Sequence, residues 1–110
     1  MYGSYAALPV ESPDRMAAWN RRLHGAGIRS ESLFSDGHSL TPEGRVGFLR
    51  QVDARVLAFN ATRTVATERF AGIALDIEPH AQPRWKTESG GGRRAMLEDY
   101  LALCTALREQ

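Results

Sequence analysis

The sequence predicts an α/β fold of three successive βα units with parallel strands. Three observations point there. Short runs of apolar or small residues at 2–8, 28–34 and 70–78 alternate with longer segments whose apolar residues recur at spacings of three and four. Two of those longer segments open on one signature, a hydroxyl residue followed by Pro and an acid: Ser12-Pro13-Asp14 and Thr41-Pro42-Glu43. Strands that alternate with capped helices form parallel βαβ units with right-handed crossovers.

The elements follow in order. "YGSYAAL" reads as a first strand, rich in Tyr and small residues. Ser12 is the expected N-cap of the first helix, with Pro13 at its first position and Asp14 favourable in the first turn. Met16, Trp19, Leu23 and Ala26 share one face of it, which places Trp19 in the core, and Gly25 and Gly27 end it. "IRSESLF" is a weaker strand, its alternation diluted by Arg29, Glu31 and two serines. "SDGHSL" is a loop with Asp-Gly turn chemistry. The second helix carries Leu49, Val52, Val56 and Phe59 and should reach about Asn60. In the third strand Ile73, Leu75 and Ile77 face one way, and Gly72, Ala74, Asp76 and Glu78 the other. "PHAQPRWKTESGGGRR" reads as a long loop with Gly90-Gly91-Gly92 as a flexible connector, and the last helix turns Leu97, Tyr100 or Leu101, Cys104 and Leu107 inward.

Bulk composition bounds the function classes. The chain has 110 residues, 43% hydrophobic and 25% charged, the balance of a soluble globular domain. A net charge of +1 and the lack of a basic cluster interleaved with aromatics argue against nucleic acid or an anionic membrane as partner. No apolar run is long enough to span a bilayer, and residues 1–14 lack the charged start and apolar centre of a secretion signal. Cys104 is the only cysteine, so no intrachain disulfide forms, and its place on a helix stripe marks a structural thiol.

The chemistry concentrates in "FAGIALDIEPH", Phe70 to His80. An apolar strand ends in two carboxylates, and ionised groups are costly to bury unless they are paired or used. In parallel α/β proteins ligands bind beyond the carboxyl ends of strands. Asp76 and Glu78 stand there on one face, their roots roughly 6–7 Å apart, twice the rise per residue. Neighbouring anions and partial burial raise a carboxyl pKa, so Glu78 is expected to hold a proton for general-acid work. The alternative is that both merely cap helices or pair with Arg.

This stretch resembles the D-G-x-D-x-D-x-E signature of chitinase-like glycoside hydrolases. It resembles still more the F-D-G-I-H-L-D-I-E-P strand of bacterial glycosidase-like TIM-barrel proteins. Gly72, Asp76 and Glu78 fall on pattern positions, whereas Ala71 and Ala74 replace the two earlier acids. The resemblance implies a glycoside hydrolase-like protein acting on carbohydrate, with Glu78 as the general acid and Asp76 as the acid that orients it. It also implies that residues 1–110 are a single partial domain resembling part of a (β/α)8 TIM barrel, since a whole barrel takes about 250 residues.

Four further residues are candidate substrate contacts. Tyr5 and Asp36 lie at the ends of the two earlier strands, and in a barrel would reach the same mouth. For Asp36 the alternative is an Asx turn with Gly37. His80 follows Glu78, but no ligand cluster completes a metal site. Trp85 offers an apolar face for a sugar ring, or packs its loop down. No metal or cofactor is expected. Open sheet edges predict self-association. Two other classes stay open: a non-catalytic carbohydrate-binding or degenerate barrel fragment, favoured by Ala71 and Ala74, and a stand-alone α/β interaction module.

Overall fold

Among the described residues two strands form and helix dominates. In the computed structural model, which describes residues 7–110, 69% of those residues are helical and 8% lie in strands. The order is α1 (Leu8–Glu11), α2 (Pro13–Gly25), β1 (Glu31–Phe34), α3 (Pro42–Val52), α4 (Ala58–Thr62), β2 (Gly72–Leu75), α5 (Pro83–Thr87) and α6 (Gly90–Arg108). The expectation of three βα units resembling part of a TIM barrel is therefore corrected to a mostly helical chain with one two-stranded parallel sheet. Most of the expected first strand, Tyr5 included, lies outside the described residues. Its last residue, Leu8, opens α1, where Pro9 supplies a preset φ in the first turn and would remove a ladder donor from a strand.

The chain divides into two compact units. The first comprises Met1–Phe34 and Gln51–Leu75. Its sheet pairs β1 with β2 in parallel, Glu31 opposite Gly72 through Phe34 opposite Leu75. Helix α2 starts as expected, with Ser12 at the N-cap, Pro13 in the first turn and Asp14 behind it. It ends in a Schellman arrangement: the Ile28 N–H donates to Leu23 and the Gly27 N–H to His24. That closure needs a left-handed residue, and Gly27 takes it at φ 75°. Met16 and Ala17 are buried, but Trp19 is only half-buried, with the Arg22 guanidinium 5.9 Å from its ring centre.

The helical run from α3 to α4 passes through a π-wound turn, Asp53–Leu57, in which the Ala58 N–H reaches back to Asp53. Val52, Val56 and Phe59 are all buried. Phe59 then meets Phe70 with ring centres 5.4 Å apart and planes tilted by 54°, a favoured aromatic geometry.

The second unit comprises Ser35–Arg50 and Asp76–Gln110. Its buried apolar residues are Leu40, Phe48, Ile77, Met96 and Leu103. Thr41 caps α3 by accepting the Gly44 N–H on its hydroxyl at 3.0 Å. Two expectations fail in α6. Gly90-Gly91-Gly92 is its first turn rather than a connector: first-turn N–H groups have no intrahelical acceptor, so poor formers cost least there, and Gly92 leaves room for the Glu88 side chain. The fully buried residues of α6 are Met96 and Leu103, neither of them expected; of the expected stripe Tyr100, Cys104 and Leu107 are half-buried, whereas Leu97 and Leu101 are exposed. Both stripes have helical spacing, and packing against the turn Gly37–Leu40 selects between them. The expected long loop after β2 instead holds a 3₁₀ turn, Pro79–Ala81, and α5.

Candidate functional site

Phe34 and Leu75 are register partners at the ends of two parallel strands, so the segments leaving them depart in the same direction. Those departing segments, from Ser35 and from Asp76, carry the candidate residues and belong to the second unit. Beyond β2, whose four residues are all half-buried, burial alternates: Asp76 is exposed, Ile77 is 7% exposed and Glu78 is exposed again. Ile77 anchors the segment and turns both carboxylates to solvent. No ion pair or side-chain hydrogen bond among the described residues engages Asp76 or Glu78, so the alternative that pairs them with Arg is not what the fold builds. Neither caps by its side chain; Glu78 stands at the N-cap of the turn Pro79–Ala81 with its carboxylate uncommitted.

Asp36 forms the Asx turn. Its carboxylate accepts the His38 N–H at 2.9 Å, while its carbonyl accepts the hydroxyl of fully buried Ser39. Half-buried Asp36 thereby shapes its loop, and His38 is exposed beside it. This loop lies against the segment that follows Glu78, because a Cβ on Gly37 would overlap the Gln82 side chain. Gln82 is thus a site-building residue that no motif marked; its only trace in the sequence is the missing side chain opposite it. His80 is exposed in the turn after Glu78.

Trp85 sits on α5, half-buried. The Arg93 guanidinium lies 5.4 Å from its ring centre, and the Arg93 Nε donates to the Trp85 carbonyl at 2.9 Å. A cation over an aromatic face contributes about 0.5–1 kcal/mol at such sites. Arg93 was hidden by the Gly run before it, which reads as a break in the chain's organisation.

Among the described residues no group of three His, Cys, Asp or Glu side chains is placed to hold a metal ion. None of their helices is long and apolar enough to cross a membrane. Within the second unit the Asp36 loop meets Gln82, and α5, which carries Trp85, packs on the turn Pro79–Ala81 that holds His80. Comparison with known proteins finds no matching family model, no matching curated protein and no matching solved structure.

Proposed function

We propose that this chain acts on carbohydrate as a glycoside hydrolase-like protein, with Glu78 as proton donor to the leaving oxygen and Asp76 as the residue that positions it. The observation that carries the reading is the exposure of both carboxylates on either side of buried Ile77, with neither committed to an ion pair. Uncommitted carboxylates are free to accept a ligand hydroxyl, but Glu78 is exposed and lacks the partial burial expected of a general acid. The D-I-E-P resemblance supports the same assignment.

A second reading, carbohydrate binding without hydrolysis, is favoured by Ala71 and Ala74, which stand where the resembling pattern has further acids. One experiment separates the two. The full chain is incubated with native oligosaccharides and with activated aryl glycosides, as wild type and as Glu78→Gln. Loss of the transferable proton should slow cleavage of the native linkage by about 10²–10⁴-fold, while aryl glycosides, whose leaving groups need little protonation, are spared. Equal loss on both substrate classes removes Glu78 from the acid role. Binding with no turnover by the wild type selects the second reading.

A further inference from the structure

We propose that this chain pairs with a second copy of itself through the outward face of α6, the two helices lying antiparallel about a two-fold axis between Leu101 and Ala102. Helix α6 turns Leu97 and Leu101, one turn apart, to solvent at 48% and 68% exposure. Beside them runs an open groove of about 520 Å³, walled by Ala102, Thr105 and Ala106, where side chains are small. A ridge of leucines next to a trough of small residues on one helix is self-complementary when a second copy is reversed.

The spacing of the face fixes the register. Arg94, Glu98, Leu101, Ala102, Thr105 and Glu109 occupy one stripe, and their separations read the same from either end. Reversal about the Leu101–Ala102 midpoint sets Leu101 against the partner's Ala102, Leu97 against the partner's Ala106, and Glu98 against the partner's Thr105. It also sets Arg94, which already pairs with its own Glu98 at 3.2 Å, against the partner's Glu109, a pair made twice by the symmetry. A shift of one residue would oppose Arg94 to the partner's Arg108, so charge selects this register from its neighbour.

Sedimentation equilibrium of the full chain tests the pairing, with circular dichroism to confirm that each variant is folded. The wild type is expected to follow a reversible monomer–dimer equilibrium. Leu101→Glu should abolish it. Arg94→Glu and Glu109→Arg should each weaken the dimer by about tenfold, because each turns two attractions into repulsions. The double variant Arg94→Glu/Glu109→Arg should restore it to near wild-type strength. A wild type that stays monomeric at all concentrations overturns the proposal. So does a double variant no better than either single, which would place the contact on another face.

Discussion

Asn60 grips the backbone of Phe70 from both sides: its Nδ2 donates to the Phe70 carbonyl at 3.1 Å and its Oδ1 accepts the Phe70 N–H at 2.9 Å. One side chain thus substitutes for a strand neighbour just before β2 begins. Buried Asn20 works alike at the approach to both strands. It donates to the Glu68 carbonyl at 3.0 Å and accepts the Ser30 hydroxyl at 2.7 Å. A sheet of two short strands has little ladder to hold it, so these side-chain clasps set where the strands run.

Replacing Asn60 by Leu should therefore destabilise the fold by about 1–3 kcal/mol, since a part-buried N–H and carbonyl lose their partners together. Asn60→Asp keeps the acceptor and loses the donor, and should fall between. Urea unfolding of the three proteins checks the order.

Gly44 and Gly47 make a matched pair within α3. A Cβ on Gly44 would overlap the His38 carbonyl, whereas a Cβ on Gly47 meets nothing within 4 Å. Gly44→Ala should destabilise markedly, because backbone rather than a flexible side chain must move. Gly47→Ala should stabilise by up to about 1 kcal/mol through helix propensity alone. Thermal melts of both variants give opposite signs.

Gly27→Ala should cost about 1 kcal/mol for an L-residue held at φ 75°, although nothing crowds the position. Gly25→Ala, two residues earlier within α2 and equally open, should not destabilise.

What could be read in advance follows a physical line. Helix caps are local, so Ser12-Pro13-Asp14 and Thr41-Pro42-Glu43 marked α2 and α3 correctly. The alternation of Asp76, Ile77 and Glu78 is also local, and it set both acids opposite Ile77, although the partial burial expected of Glu78 is not found. Faces chosen by tertiary contact were not legible. The stripe through Leu97 and Leu101 has the same period as the one through Met96 and Leu103, and periodicity alone cannot rank them. Leu8 and Pro9 open a helical turn where the end of a strand was expected, because the preset φ of Pro suits both. Gln82 and Arg93 act on Gly37 and Trp85 from other elements, and a contact made by folding leaves no spacing to find.

Arg93→Ala should loosen Trp85 by removing both the cation over its ring and the bond to its carbonyl. In a Trp19→Phe background, Trp85 emission should shift to the red and its acrylamide quenching should rise. An unchanged spectrum would mean that packing by α5 alone holds the indole.

The central claim, that carbohydrate is handled where Asp76 and Glu78 leave β2, is tested most directly by titrating the ¹⁵N-labelled full chain with soluble oligosaccharides and following its amide resonances. Carbohydrate bound there should give saturable shifts confined to residues 36–38 and 76–85 and to the Trp85 indole, weakened in Asp76→Asn and Glu78→Gln. Saturable shifts centred elsewhere on the chain, or none with any sugar tested, would contradict it.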